Sequence, residues 1–184
     1  MISGINQVIN NLRKVRNAIN NDINSLFITK SLEWIRDRAI EILKTKLSFQ
    51  PNWFGTEVTT SVTQKENGDI TGTWVIKQIS KNSYILENTY ENSASIEFGI
   101  GIVAEENPHV VAEEVGYNYN VPSIDKDISG AWTFKDQNEQ IWYRFRGYEG
   151  KSFLYDAFME YKQNNIWVKK YQEAFDEIMR SVIK

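Results

Sequence analysis

The single histidine of this chain lies in a stretch rich in carboxylates, a composition that is compatible with a metal site. His109 follows Pro108 and has Glu105, Glu106 and Glu113 nearby in the sequence. Imidazole and carboxylate groups are both common ligands of zinc. One histidine among carboxylates of a flexible loop defines no coordination geometry, however. We therefore predict a solvated loop histidine and no metal site.

Two other short patterns resemble ligand-binding loops without completing them. Gly99-Ile100-Gly101 has two of the three glycines of a dinucleotide-binding loop, and an acidic stretch follows where a phosphate-binding helix should begin. Asp125-Lys126-Asp127 offers two carboxylates but lacks the length and the glycine of a calcium loop. We interpret the first pattern as a turn in which glycine adopts a positive φ, and we expect no cofactor at either place.

The composition disfavours the commonest enzyme classes. The chain contains no cysteine and one histidine, which excludes cysteine nucleophiles and thiolate metal sites and leaves little room for a Ser-His-Asp triad. Paired carboxylates for glycoside hydrolysis stay open, because their separation of roughly 5–10 Å is a property of the fold. A small hydrolase that uses acidic loop residues is the weakest hypothesis. We expect no catalytic residues, so that the protein is not an enzyme.

Aromatic residues suggest a different alternative, a carbohydrate- or surface-binding module. The chain has six tryptophans and nine tyrosines, and exposed aromatic rings are the usual platform for sugars. The pairs Trp132/Phe134 and Trp142/Phe145 alternate along predicted strands. Aromatic residues in such positions more often fill a core or an interface. Carbohydrate binding is therefore the alternative and not the leading hypothesis.

Charge is distributed unevenly along the 184 residues. Residues 1–50 contain eight Lys or Arg and four Asp or Glu, a net +4, whereas the remaining residues contain thirteen and twenty, a net −7. Nucleic-acid binding usually requires a concentrated basic face, which a net charge of −3 does not favour. The asymmetry can bring identical subunits together, although a solvated surface is the commoner explanation. No apolar run approaches the ~20 residues of a membrane-spanning helix, so we expect no membrane partner.

Apolar residues at three- and four-residue steps predict helices at both ends of the chain. Over residues 1–50 the pattern predicts either two helices, the second from about Thr29 to Leu47, or one long bent helix. The choice depends on Asn20-Asn21-Asp22, since Asn and Asp side chains compete with helical hydrogen bonds. Pro51 ends this region. A C-terminal helix is predicted from Ser152 to Ile183.

Between the helices, a period of two and many β-branched or aromatic residues predict antiparallel strands. The predicted strands are Val58–Val62, Thr73–Ile79, Tyr84–Asn88, Gly130–Lys135 and Gln140–Arg146. Helices, then strands, then a helix indicate an α+β fold rather than a parallel βαβ fold. We expect a single domain over residues 1–184, helical over 1–50, mainly β over 57–146 and helical again over 152–183.

Two segments interrupt the predicted strands. Ser93–Gly99 is typical of a short helix that ends at glycine. Residues 105–128 combine carboxylates with two prolines, which predicts a long exposed loop. A purely solvated loop would not need the apolar and aromatic side chains of this segment, so we predict that it is a contact arm for a neighbouring subunit or partner. These side chains belong to Val110, Val111, Tyr117 and Tyr119.

Two motifs in a particular order resemble a known family. Residues 93–99, SASIEFG, follow a predicted hairpin, and residues 147–157, GYEGKSFLYDA, open the last predicted helix. Together they resemble the HK97 gp10-like family of tailed-phage neck proteins, also called tail-completion or minor tail proteins. In that family a small residue and (V/I)EFG follow a hairpin, and a Phe-Leu-x-x-Ala motif opens the last helix. The matching residues are Ala94, Ile96, Glu97, Phe98 and Gly99, then Gly150, Phe153, Leu154 and Ala157.

The resemblance implies a structural subunit of the phage neck, at the head-proximal end of the tail or between the tail and the connector. Such subunits form rings, here expected to be hexamers, around the channel through which DNA passes without specific binding. The implied partners are further copies of the chain and neighbouring neck proteins such as the connector and the tail terminator. The implied location is the virion, and a cysteine-free chain suits assembly in a reducing host cytoplasm.

Overall fold

A computed structural model describes residues 2–48, 73–90, 93–119, 132–135 and 142–182. The predicted strand Val58–Val62 and the Asp125-Lys126-Asp127 pattern lie outside these residues, as do the side chains of Trp132, Phe134, Trp142 and Phe145. Within them, helices predominate, and the strands form antiparallel pairs. The predicted α+β class is confirmed.

The N-terminal region is one helix, α1, that runs from Ile2 to Ser48 without a break at Asn20-Asn21-Asp22. At 1.5 Å per residue its 47 residues extend over about 70 Å. Of the two predicted arrangements, the structure therefore has the single helix. Its second half is held by burial against the rest of the fold, which compensates for the weak helix formers in the middle. The buried apolar residues of this half are Ile35, Ala39, Ile42 and Leu43, and Ile23 is buried just before it.

The β part consists of three two-stranded antiparallel pairs within the described ranges. Strands β1 (Trp74–Ser80) and β2 (Ser83–Asn88) form a hairpin in which Trp74 pairs with Asn88, close to the predicted bounds. Strand β3 (Gly99–Ile100) pairs with β6 (Tyr148–Glu149). Strands β4 (Trp132–Lys135) and β5 (Trp142–Phe145) pair with each other, inside the predicted ranges.

The C-terminal region is two helices, so the prediction of one helix over residues 152–183 is wrong. Helix α4 covers Phe153–Gln163 and helix α5 covers Ile166–Val182. Asn165 lies between them with a φ of 52°, in the left-handed region that asparagine adopts more readily than most residues. The backbone N–H of Asn164 donates to the carbonyl of Glu160, which closes the end of α4. The two asparagines are thus a local stop that the apolar periodicity conceals.

The main core lies where the second half of α1, helix α4 and the β1–β2 hairpin meet. Phe153 is 2 % exposed, and its ring meets the Trp74 ring edge-on with centroids 6.1 Å apart. Helix α5 packs along α1, where Lys30 and Glu177 form an ion pair at 2.8 Å. The buried residues of the core are Ile35, Ala39, Ile42, Leu43, Tyr90, Ile96, Phe153 and Ala157.

The predicted long exposed loop is partly folded into the body, and that prediction is wrong for the residues that the structure describes. Helix α2 (Ser93–Phe98) and helix α3 (Gly101–Glu106) precede a turn over residues 110–116. His109 and Ala112 are buried. The acidic side chains face solvent together with Val110 and Val115, whereas His109 and Ala112 are buried, so one side of the segment packs on the body. Within the described ranges, no helix combines the length and the hydropathy that a membrane crossing requires.

Candidate functional site

The two motifs that carry the family resemblance meet in space at two glycines. Gly99 has a φ of 84°, which confirms the positive φ that the sequence predicts there. A Cβ atom on Gly99 would lie 2.5 Å from the backbone nitrogen of Gly150 and 2.6 Å from the carbonyl oxygen of Tyr148. A Cβ on Gly150 would in turn collide with the carbonyl of Glu97. Only glycine lets the two chain segments approach this closely.

Glu97 connects the first motif to the start of α4. Its Oε2 accepts a hydrogen bond from the N–H of Leu154 at 2.9 Å, and its Oε1 accepts one from the N–H of Tyr155 at 3.0 Å. The first N–H groups of a helix have no partner within the helix and carry the positive end of its dipole. The residue before the helix, Ser152, has a left-handed φ of 48° and makes no side-chain cap. Glu97 thus caps α4 from a distant part of the chain.

Backbone hydrogen bonds reinforce this connection. The N–H of Lys151 donates to the carbonyl of Ile96 at 2.7 Å, and the N–H of Ser152 donates to the carbonyl of Glu97 at 3.1 Å. Burial lowers the pKa of the Lys151 ammonium. We call the contact between residues 96–99 and residues 148–155 the Glu97 joint.

His109 is part of the joint, and the prediction of a solvated loop histidine is wrong. Its side chain is 1 % exposed, and its Nε2 lies 3.3 Å from Oε1 of Glu97. The N–H of Val111 donates to Nδ1 at 3.3 Å, so the neutral ring carries its proton on Nε2, towards the carboxylate. The contact has ion-pair distance but not the alignment of a hydrogen bond.

The side chains proposed as partners of His109 in a metal site do not converge on it. Glu105, Glu106 and Glu113 are exposed, whereas the ring is buried against Glu97. Among the described residues, no group of three His, Asp or Glu side chains is placed to hold a metal ion. Both oxygens of Glu97 already accept backbone hydrogen bonds. The arrangement therefore orients α4.

Aromatic rings close the joint on the side of the acidic segment. Phe98 stacks on Tyr117 with centroids 4.6 Å apart and meets His109 at 4.7 Å. The Tyr117 hydroxyl donates to the carbonyl of Gly99 at 2.9 Å, and the Tyr119 hydroxyl accepts from the N–H of His109 at 2.8 Å. Burial raises the pKa of Tyr117. Both tyrosines are half-buried and make contacts within the chain, and their role in a contact arm stays a prediction.

The remaining predicted residues divide between core and surface. Of the predicted contact arm, Val110 is exposed and Val111 is half-buried. Of the first motif, Ile96 is in the core but Ala94 is exposed. Of the second motif, Phe153 and Ala157 are buried, and Leu154 packs against the core cluster. Sequence reasoning missed the joint role of His109 and Tyr155. The sequence around His109 predicts a solvated loop, and Tyr155 lies within the second motif but is not one of the residues that match the family.

A groove of about 610 Å³ lies between α1 and α4, and its charged side chains pair with one another. Nε of Arg38 donates to Glu160 at 2.6 Å and its second guanidinium nitrogen donates to the same carboxylate at 2.9 Å. The ammonium of Lys46 pairs with Asp156 at 2.6 Å and also donates to the carbonyl of Lys151. The groove is therefore a seam between helices, closed by two ion pairs, and offers no unpaired charge to a ligand.

A comparison of the chain with protein-family models, curated proteins and solved structures finds no match.

Proposed function

We propose that this chain is a non-enzymatic structural subunit of a tailed-bacteriophage neck, a tail-completion or head–tail joining protein. Several copies would form a ring, a hexamer by the family resemblance, around the DNA channel at the head-proximal end of the tail. The connector and the tail terminator are its proposed neighbours in the virion. DNA would pass through the ring without specific binding.

The Glu97 joint is the observation that carries the proposal. Glu97 of the first motif caps the helix that the second motif opens, although Glu97 and Leu154 are 57 positions apart in the sequence. Gly99 and Gly150, one from each motif, are both at places where a side chain would collide with the other segment. The cap and the two glycines show that the motifs fit together as one structural unit. This fit supports the proposal, which depends on both motifs.

The charge distribution is consistent with a ring that DNA crosses freely. Tight non-specific binding to DNA depends on several Lys or Arg side chains that neutralise phosphates together. The chain has a net charge of −3, and its acidic residues include exposed carboxylates on α3 and the following turn. A channel that releases DNA during infection benefits from weak contacts with phosphates.

A nonsense mutation in the gene tests this function directly in a phage that encodes the chain. We expect DNA-filled heads and tails that fail to join, visible by electron microscopy, and normal particles when the wild-type chain is supplied in trans. The Glu97→Ala variant should fail to restore joining, whereas Glu33→Ala, which changes an exposed carboxylate of α1 away from the joint, should succeed. Joined, infectious particles in the absence of the chain would contradict the proposal.

One observation favours the carbohydrate- or surface-binding alternative. Trp167 and Tyr171 are exposed one helical turn apart on α5, so that their rings share a face. The Tyr171 ring also meets Phe27 of α1 edge-on at 5.6 Å, which gives it a structural role as well. Glycan-array binding that is lost in Trp167→Ala would support this alternative over the neck function.

A further inference from the structure

The first part of α1 is a helix whose side chains face solvent. We call residues 7–20 the N-terminal arm. All described side chains from Gln7 to Lys14 are exposed, including the large apolar residues Val8 (58 % exposed) and Leu12 (64 % exposed). Val15, Ala18 and Ile19 are half-buried, and the first fully buried residue is Ile23. The arm therefore carries an apolar stripe that nothing in the described part of the chain covers.

An uncovered arm of this composition is a poor helix in water. Four of its fourteen residues are asparagines, which are weak helix formers. Helical segments of this length are marginal by themselves, and their stability in proteins comes from packing an apolar face. The arm thus requires a surface on which Val8 and Leu12 can be buried.

The charge of the arm indicates what kind of surface this is. Arg13, Lys14 and Arg16 are its only charged residues, and none has a carboxylate partner among the described residues. Two arms packed side by side would bring like charges together, which is unfavourable. A complementary partner surface must be acidic and must have exposed apolar side chains.

The same chain presents such a surface at the other side of the Glu97 joint. We call it the acidic face: α3 with the turn over residues 110–116. Val110 and Val115 are 68 % and 61 % exposed. Glu105, Glu113 and Glu114 are exposed around them, and the structure shows no cation partner for these three within the described ranges. Glu106 differs, because it pairs with Arg146 at 2.9 Å.

We propose that the N-terminal arm of one subunit docks on the acidic face of a second copy of this chain. The valines of the face would receive Val8 and Leu12, and the carboxylates would pair with Arg13, Lys14 and Arg16. This contact joins two different surfaces, so it repeats head to tail and closes into a ring when the rotation allows. The inference rests on the proposed function in that it names the contact from which the ring is built.

A nucleic acid is the less suitable occupant of the arm. Phosphate binding calls for cations on an otherwise polar surface, whereas the arm also exposes the apolar side chains of Val8, Ile9 and Leu12. The distinction can be measured, because a DNA-binding arm would not require the carboxylates of a second subunit.

Two charge-reversed variants of the full chain test the contact. The arm-reversed variant is R13E/K14E/R16E, and the face-reversed variant is E105K/E113K/E114K. All six side chains are exposed, so both variants should melt like the wild type. Light scattering after size exclusion should show that wild type associates and that salt weakens the association. Each variant alone should associate at least about a hundredfold more weakly, because like charges then face each other.

A mixture of the two variants provides the decisive test. In the mixture every arm meets a face of opposite charge, so we expect alternating assemblies that contain both variants in equal amounts. If either variant alone associates like wild type, or if the mixture does not associate, the docking proposal is overturned while the ring proposal stands. A wild-type chain that stays monomeric overturns both. Wild-type binding to a labelled duplex DNA that is lost in the arm-reversed variant, with no self-association, overturns the docking proposal in favour of DNA.

Discussion

A buried carboxylate is costly unless hydrogen bonds satisfy it, and Glu97 shows how the fold meets that requirement. Two backbone N–H groups at the start of α4 donate to it, and the Nε2 of His109 lies beside it. These donors belong to a helix terminus that would otherwise lack partners. The same two hydrogen bonds therefore satisfy the buried carboxylate of Glu97 and cap the start of α4.

Replacing Glu97 by Gln should destabilise the protein by about 1–3 kcal/mol, because the amide keeps one acceptor and leaves one buried N–H unsatisfied. Urea denaturation followed by circular dichroism measures the free energy of unfolding. The matched control is Glu105→Gln, an exposed carboxylate, which should change stability by less than about 0.5 kcal/mol. Equal effects of the two substitutions would show that the cap contributes nothing.

Gly99 and Gly116 provide a pair in which backbone strain and close packing can be separated. Both have a positive φ, 84° and 67°, but an added Cβ would collide at Gly99 and meet nothing within 4 Å at Gly116. Gly116→Ala should cost about 1–2 kcal/mol for the left-handed conformation alone. Gly99→Ala should cost a further ~1–3 kcal/mol for overpacking. If urea denaturation gives the same loss for both, the close approach at Gly99 is unimportant.

At the scale of elements, two charged pairs that line the same groove hold α4 against α1. Arg38 reaches Glu160 with two hydrogen bonds, and Lys46 reaches Asp156. These side chains are about one-third exposed, so solvent screening keeps each contribution small. The burial of Phe153 and Leu43 accounts for more of the packing energy, and the ion pairs align the two helices.

The Arg38–Glu160 pair should make stability depend on pH in a defined direction. Hydrogen bonds from Arg38 lower the pKa of Glu160 below its ordinary value of 4.5. The pair therefore stabilises the fold above pH 4.5, and this contribution is lost as the pH falls through the lowered pKa. Glu160→Gln should reduce stability by up to about 1 kcal/mol at pH 7, after allowing for screening. The difference from wild type should close below pH 4.5.

Thermal or urea denaturation of both proteins between pH 7 and pH 3 measures this dependence. Glu105→Gln is again the control, since Glu105 has no cation partner among the described residues and should show no closing gap. A gap between wild type and Glu160→Gln that persists unchanged at pH 3 would contradict the assignment to the ion pair.

Residues 105–119 contribute side chains both to the Glu97 joint and to the solvent-exposed surface. His109, Ala112 and Tyr117 face the joint, while Glu113 and Val115 face solvent. The inner side chains connect the segment to Glu97 and Phe98. The outer side chains are consequently held on a firm support, which is what a docking surface requires.

At the scale of the whole molecule, the chain divides into a packed body and a projecting arm. Removing residues 2–14 should leave the body folded, because the described side chains of that stretch are exposed. The melting temperature should change by no more than about 4 °C, the shift that ~1 kcal/mol produces in a protein of this size. Association should be lost. The matched control is the double substitution V8S/L12S, which keeps the arm and removes its apolar stripe.

Differential scanning calorimetry and light scattering report these two properties separately. A truncated chain that melts more than about 10 °C lower would show that the arm belongs to the body. A truncated chain that melts normally and still associates would show that another surface joins the subunits.

Local periodicity in the sequence determined the α+β class and the approximate bounds of β1, β2, β4 and β5, and a glycine at a turn indicated the positive φ of Gly99. Helical patterns depend on residues three or four positions apart, and extended patterns on residues two positions apart. Both can therefore be recognised in the sequence itself. The break between α4 and α5 also has a local cause in the sequence, Asn164-Asn165. It was not predicted, because the apolar pattern continues across these two residues. Similarly, helix α1 continues through Asn20-Asn21-Asp22 although those residues by themselves weaken it.

Only the tertiary structure decided where Glu97 and His109 lie. The contact from Glu97 to Leu154 joins residues 57 positions apart, and no short-range pattern specifies such a pairing. His109 has the sequence neighbours of a solvated residue, and it is buried because Phe98, Tyr155 and Glu97 pack against its ring. The burial of a side chain depends on which distant segments pack over it. For that physical reason the elements could be predicted from the sequence and the joint between them could not.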